Sequence, residues 1–115
     1  MKSYRDLIVW NKSMNLVVDI YEISKSFPKD ELFALTSQIR RSSVSIPSNI
    51  AEGSKRGTRK DYRNFIRIAN GSTAELLTQL EIDYKLKYID QDQFSEIFKK
   101  AEEIVKMLTV LITRL

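Results

Sequence analysis

The chain has 115 residues, of which 43% are hydrophobic and 30% are charged, and its net charge is +4. This length and composition are typical of one folded domain rather than a disordered tail. Cysteine and histidine are both absent, which excludes disulfides, thiolate metal sites and the commonest general base. We therefore expect a single domain over residues 1–115 that is not an enzyme and holds no metal and no cofactor.

No targeting or membrane segment is recognisable. Residues 1–10 lack the long apolar stretch of a secretory signal, and no run of about 18 apolar residues occurs in the chain. These features predict a cytoplasmic protein without a membrane partner.

The first predicted helix covers about residues 6–26. Its apolar residues recur at spacings of three and four along two rows, which indicates two buried faces. Pro28 ends it, because the residue before a proline is pushed out of the helical region. Asp30 is then a candidate N-cap for the next helix.

The second predicted helix covers about residues 31–56, and serines replace leucines in its middle turns. Pro47 lacks an amide hydrogen, but the apolar rhythm continues across it, so we expect a kink rather than two helices. Gly53 and Gly57 are candidate C-caps.

The third predicted helix covers about residues 58–87, with Thr58 as its N-cap. Gly71 and Ser72 interrupt it and predict a close contact with the serine-rich turn of the second helix. Its predicted core row is Tyr62, Phe65, Ala69, Ser72, Leu76 and Leu80.

The fourth predicted helix covers about residues 91–115 and has the clearest apolar stripe. Four such helices with short turns pack most economically in an up-down-up-down order. The predicted fold is therefore all-α, an antiparallel four-helix bundle with a Pro-kinked second helix.

Positive charge is concentrated in the middle of the chain, where residues 40–67 contain eight cations and two acids. Such a basic segment favours an anionic partner, above all nucleic acid, although a merely solvated helix face is the alternative. The candidate nucleic-acid-binding residues are Lys55, Arg56, Arg59, Lys60, Arg63 and Arg67.

Arg40 and Arg41 are adjacent on a helix, so their directions differ by about 100° and only one can point fully outward. We expect the other to have a structural partner, with Glu52 or Glu75 as candidates, while direct ligand contact and simple solvation are the alternatives.

Asn49 and Glu52 share a helix face and, with Asp83 or Glu75, would resemble a carboxylate cluster. Di-iron bundles, however, use Glu-x-x-His motifs and this chain has no histidine, so we expect no catalytic metal site. Ser42, Ser43, Ser45 and Ser48 likewise lack a histidine that could act as their base, so we expect them to be helix-packing residues.

Four aromatic residues are candidate platforms for stacked bases. At helical spacing, however, Trp10 and Tyr21 are more often buried in a core or at a subunit interface. The four are Tyr4, Trp10, Tyr21 and Tyr88.

Several motifs span nearly the whole chain: residues 7–10 (Leu-Ile-Val-Trp), 27–28 (Phe-Pro), 38–41 (Gln-Ile-Arg-Arg), 45–53 (Ser-Ile-Pro-Ser-Asn-Ile-Ala-Glu-Gly), and 69–72 (Ala-Asn-Gly-Ser) with Glu-Leu at 75–76. In these the chain resembles the four-helix bundle family named after proteins encoded in intervening sequences of bacterial 23S rRNA genes. The motif residues expected to have structural roles are Arg40, Arg41, Pro47, Asn49, Glu52, Gly53, Gly71, Ser72 and Glu75.

That family is similar to the accessory variability determinant proteins of diversity-generating retroelements, whose bundles form five-membered barrels and bind nucleic acid and a reverse transcriptase. The resemblance implies a homopentamer whose possible partners are RNA or DNA and a reverse transcriptase or another protein. The resulting hypothesis is a non-enzymatic accessory factor that binds nucleic acid backbone through a basic face. The alternative is a protein-interaction scaffold without direct nucleic-acid binding.

Overall fold

The computed structural model describes residues 3–115. Within these residues there are four α-helices and no strand: α1 (Ile8–Ser24), α2 (Leu35–Ser54), α3 (Arg59–Lys85) and α4 (Gln91–Arg114). Short 3₁₀ helices at Tyr4–Asp6 and Lys29–Glu31 precede α1 and α2. The predicted all-α class with four helices is confirmed.

Helix α2 begins later than predicted, and Asp30 is not its N-cap. The N-cap is Ala34, whose φ of −125° and ψ of −108° are not helical. The chain instead makes tight turns, in which the Glu31 amide donates to the Pro28 carbonyl (3.0 Å) and the Ala34 amide donates to the Glu31 carbonyl (3.0 Å). These i to i+3 bonds close a turn too tight to continue as an α-helix.

The starts of α3 and α4 are capped by side chains. Thr58 is the N-cap of α3, as predicted, and its Oγ1 accepts from the Asp61 amide at 3.1 Å. Asp90 and Gln93 form a reciprocal capping box at α4, with hydrogen bonds of 2.8 and 2.9 Å. Each cap satisfies amides that would otherwise lack an acceptor.

The helices pack as a four-membered bundle, in which α1 and α3 each contact both α2 and α4. Isoleucine and leucine side chains from all four helices fill the shared core. None of the helices within residues 3–115 combines the length and apolar character that a membrane span requires.

The core face of α3 is broader than the predicted row. Ala69, Leu76 and Leu80 are fully buried as expected, but Ile66 and Thr73 are fully buried too. Tyr62, Phe65 and Ser72 are only half-buried. The predicted row was too narrow, because α3 packs against two neighbours and buries two adjoining stripes; Tyr62 still packs against the core.

Gly53 and Gly71 have roles opposite to those expected. Gly53 lies inside α2 and is not a C-cap; Lys55 is the C-cap. A Cβ on Gly53 would lie 2.6 Å from the Phe65 Cβ and 3.3 Å from the Tyr62 carbonyl oxygen, whereas a Cβ on Gly71 would meet nothing within 4 Å. The glycine that permits close helix contact is therefore Gly53, because Gly71 points outward.

Alanine at these two glycines should change stability in opposite directions. Gly53→Ala should lower the free energy of unfolding by about 1–3 kcal/mol, because the new methyl group collides with an atom anchored to the α3 backbone. Gly71→Ala should raise it by roughly 0.5–1 kcal/mol through helix propensity alone. Urea denaturation of both variants measures the difference, and a stabilised Gly53→Ala protein would contradict the close packing.

Candidate nucleic-acid interface

The six predicted binding residues lie where α2 ends and α3 begins. Lys55 and Arg56 follow the last turn of α2, and the other four project from the first three turns of α3. All are exposed except Arg63, which is half-buried. We call this set the basic face: Lys55, Arg56, Arg59, Lys60, Arg63 and Arg67.

Helix geometry places several of these cations side by side. Arg59, Arg63 and Arg67 follow one another at intervals of four residues, and such residues are neighbours on a helix surface. The positive end of the α3 dipole also lies at Arg59, the first residue of that helix. Both arrangements make the local electrostatic potential more positive, which favours the binding of an anion.

Arg56 makes an ion pair and a cation-π contact within the protein. Its Nη2 lies 2.8 Å from Glu52 Oε2, and its guanidinium carbon lies 4.7 Å from the centroid of the Phe65 ring. Among residues 3–115 the other five cations form no ion pair. An exposed pair such as Arg56–Glu52 contributes little stability.

Arg40 has the structural role expected for one of the two adjacent arginines, but its partners are different. Its Nε donates to Ser24 Oγ at 2.9 Å, and its guanidinium carbon lies 4.7 Å from the Tyr21 ring centroid. Within the described chain neither Glu52 nor Glu75 pairs with it. Arg40 thus connects α2 to α1.

The serine-rich part of α2 contacts α3 through hydroxyl groups. Ser45 Oγ and Ser72 Oγ lie 2.7 Å apart, and Asn49 Nδ2 donates to Ser45 Oγ at 2.9 Å. Ser72 therefore makes the predicted contact, although its neighbour Gly71 does not. Pro47 is buried, on the side of α2 that faces Trp10 and Met14.

A polar groove of about 550 Å³ runs between α2 and α3 beside these serines. The sequence predicts an ion pair or a ligand contact for Arg41 and an ion pair for Glu75, but it does not single out Gln79, which is 8% exposed. The one sequence signal for this groove was a glutamine at a core position of an amphipathic helix. The groove is lined by Gln38, Arg41, Ser42, Ser45, Ser72, Glu75 and Gln79.

The aromatic candidates for base stacking are engaged within the protein. Tyr4 and Trp10 are half-buried and contact each other edge-to-face, with centroids 5.2 Å apart. Tyr21 lies under Arg40, and the Tyr88 hydroxyl donates to Glu31 Oε2 at 2.8 Å. These contacts favour the structural interpretation of all four.

Asp83 is a fully buried carboxyl group on α3. Neither of its oxygens has a hydrogen-bond partner among residues 3–115. Burial raises the pKa of Asp83 to about 7, and repulsion from the Glu31 carboxylate adds to the rise. In the described chain no group of three acidic side chains is placed to hold a metal ion.

Comparison with known proteins relates this architecture to a family. The model of the family described as "23S rRNA-intervening sequence protein" matches residues 5–110. The chain belongs to this family. A comparison with curated proteins gave no match.

A solved structure agrees with the family assignment. It is the crystal structure of a protein of unknown function from the S23 ribosomal protein family of Bacteroides thetaiotaomicron VPI-5482. That protein is 31% identical to this chain, the match covers 91% of this chain and 98% of the other, and the TM-score is 0.85. The intervening-sequence family thus accounts for the fold along nearly the full length of the chain.

The buried acid should make this family member less stable as the pH rises. Because the folded-state pKa of Asp83 lies above its ordinary value of 3.8, the folded protein retains a proton that the unfolded chain releases. The contribution of Asp83 to the free energy of unfolding is fully present below about pH 4 and is lost as the pH rises through about 7. The free energy of unfolding should fall by on the order of a few kcal/mol over this range.

Asp83→Asn should abolish this contribution and be more stable than the parent at pH 8, because the neutral amide cannot ionise. Thermal unfolding at pH 5 and pH 8 measures it, with the exposed Asp6→Asn as a matched control. A melting temperature of the Asp83→Asn variant that changes with pH as steeply as the parent's would refute the assignment.

Proposed function

We propose that this protein is a non-enzymatic, homo-oligomeric helical bundle that binds RNA or DNA backbone through the basic face, as an accessory factor in a cytoplasmic nucleoprotein complex. The observation that carries the proposal is the group of five cations without an ion pair in the described chain, gathered where α2 ends and α3 begins.

The proposal includes an antiparallel, up-down-up-down arrangement. It is supported by contacts in which rising residue numbers in α2 meet falling numbers in α3: Ser42 with Gln79, Ser45 with Ser72, and Gly53 with Tyr62. A kink at Pro47 is part of the same proposal, since Pro47 lies inside α2 and cannot donate to the Ser43 carbonyl.

Binding of this kind is electrostatic. Lysine and arginine neutralise phosphates and release condensed counterions, so affinity falls steeply with salt and depends little on sequence. The exposed Arg59, Lys60 and Arg67 are free to follow a flexible backbone. Backbone phosphates are therefore the ligand class that the basic face fits best.

Association into a homo-oligomer, a pentamer by resemblance, would repeat the basic face and raise avidity without a new type of contact. Apolar side chains that remain exposed between the start of α1 and the end of α4 support it. Ile8 is 65% exposed and Val110 is 48% exposed, and both line an apolar groove of about 460 Å³. Such a surface is typical of a protein contact.

A protein-interaction scaffold is the second candidate function. The observation that favours it is Phe33, which is 93% exposed in the turn before α2. A reverse transcriptase or another protein would be the partner, in addition to nucleic acid or in place of it.

Charge reversal on the basic face should abolish nucleic-acid binding. The triple variant Arg59→Glu, Arg63→Glu, Arg67→Glu should lower the affinity for single-stranded RNA at least about tenfold at low salt, because several phosphate contacts become repulsive. Gel-shift titration over a range of salt concentrations measures both the affinity and its salt dependence.

The matched control reverses three exposed lysines far from the basic face, Lys85, Lys87 and Lys99, and so changes the net charge equally. Equal losses in the two triple variants would indicate only an effect of net charge. Absence of binding to any RNA or DNA at low salt would leave the scaffold as the better description.

Acidic residues in the apolar groove should dissociate the oligomer. Light scattering should give the mass of several 13.4 kDa chains for the parent and of one chain for the double variant Ile8→Asp, Val110→Asp. A monomeric parent would remove the oligomer from the proposal.

A further inference from the structure

The polar groove between α2 and α3 is the part of the molecule whose chemistry the proposed backbone binding does not use. Gln38 and Arg41 reach it from α2, and Glu75 and Gln79 reach it from α3. Its volume of about 550 Å³ is within the range of small-ligand sites. Its lining is polar throughout, which is unusual for a gap between two bundle helices.

Gln79 supplies a fixed hydrogen-bond donor in this groove. Its side-chain oxygen accepts from Ser42 Oγ at 2.6 Å, a shorter contact than the 3.2 Å between the same hydroxyl and the Ile39 carbonyl, so the Ser42 proton orients the amide. Its Nε2 donates to no group among residues 3–115, yet it is not sealed off in the core. A residue only 8% exposed therefore presents an unused N–H donor to the groove.

Arg41 and Glu75 add opposite charges on facing helices. Both are exposed, and in the described chain they form no ion pair with each other or with any other group. The guanidinium offers a fork of N–H donors, and the carboxylate accepts two hydrogen bonds in one plane. The groove thus combines donors from Arg41 and Gln79 with the paired acceptor oxygens of Glu75.

The Ser45 and Ser72 hydroxyls complete the site. They have two protons and lie 2.7 Å apart, and one proton is used in the bond between them. The second remains for a ligand, since Asn49 donates to Ser45 and accepts nothing from it.

We infer that this groove binds an unpaired guanine base. Guanine has two adjacent donors, N1–H and the N2 amino group, that fit a carboxylate such as Glu75. Its O6 and N7 are acceptors that fit the arginine fork, the commonest specific contact to guanine. Splayed bases of single strands are recognised through these edges.

The other bases match the groove less well. Adenine and cytosine each have a single amino group beside a ring nitrogen that accepts, and that nitrogen would face the Glu75 carboxylate. Uracil has one ring N–H between two carbonyl oxygens. Only guanine places two donors toward Glu75 while its acceptors face Arg41 and Gln79.

The inference rests on the proposed function, because the guanine would belong to a nucleic-acid strand that is bound to the basic face. Helix α3 carries both sites: Arg67 precedes Glu75 by eight residues, about 12 Å along the helix axis. The exposed Gly71 lies between them without a side chain in the way. A strand held by Arg67 could therefore place one base in the groove.

Fluorescence anisotropy with short single-stranded RNAs tests the inference. An oligouridine with one central guanosine should bind at least about tenfold more tightly than oligouridine, the discrimination expected of one bidentate base contact. Inosine, which lacks the N2 amino group, should fall between them. Glu75→Gln should remove most of the preference, because an amide cannot accept from both donors.

The exposed Glu81→Gln is the matched control, with the same charge change on α3 outside the groove. It should keep the full guanine preference. Equal preference in the two variants, or equal binding of both RNAs by the parent, would overturn the guanine site while leaving backbone binding intact.

Titration with free guanosine monophosphate, followed by amide chemical shifts, separates the two possible sources of the base. Shifts at Gln79 and Glu75 without any RNA binding would support the site and overturn the proposed backbone function. Binding of neither the nucleotide nor either RNA would overturn both.

Discussion

The close approach of α2 and α3 is the constraint on which the rest of the structure depends. Gly53 permits it at one end, where even a methyl group would collide with Phe65 Cβ. Further along, the hydroxyl contact between Ser45 and Ser72 replaces the apolar layer that usually separates two helices. Small residues at a helix contact let the backbones approach, and the turn after Gly53 then fixes where the basic face begins.

Several polar residues can occupy this core because they satisfy their own hydrogen bonds locally. Ser43 Oγ donates to the Arg40 carbonyl at 2.8 Å, and Thr73 Oγ1 donates to the Ala69 carbonyl at 2.8 Å. Such back-bonding removes the penalty of burying a hydroxyl group without a partner. The Asp83 oxygens have no such partner among residues 3–115, and burial raises the pKa of this carboxyl to about 7, which favours its neutral form below that pH.

Hydrophobic periodicity was sufficient to predict the number and class of the elements, because each helix buries a stripe that repeats with the helical period. Hydrophobic periodicity did not predict the positions where the presence or absence of one Cβ atom determines how closely two helices pack. Gly53 and Gly71 look alike in the sequence, and only the position of Phe65 shows which one faces a neighbouring helix. The start of α2 was misplaced for a related reason, since the tight turns at 29–34 do not interrupt the apolar pattern.

The candidate site was predictable to a similar degree. The outward direction of Arg59, Lys60 and Arg67 follows from helix geometry and a known core face. The partners of Arg40 could not be predicted in this way, because Ser24 and Tyr21 are distant in sequence and carry no charge that would mark them as partners of an arginine. The groove could not be predicted because no single residue in it has an unusual sequence signal. Its residues form a site only when α2 and α3 pack together.

The residues that set the α2–α3 spacing also create the groove. Ser42, Ser45 and Ser72 are too short to fill the space that opens above them, while the longer Arg41 and Glu75 stand at its edges. Larger apolar residues in place of these serines would fill that space with side chain. The serine-rich motif is therefore best explained by two requirements at once: helices that pack closely, and a polar surface that remains open between them.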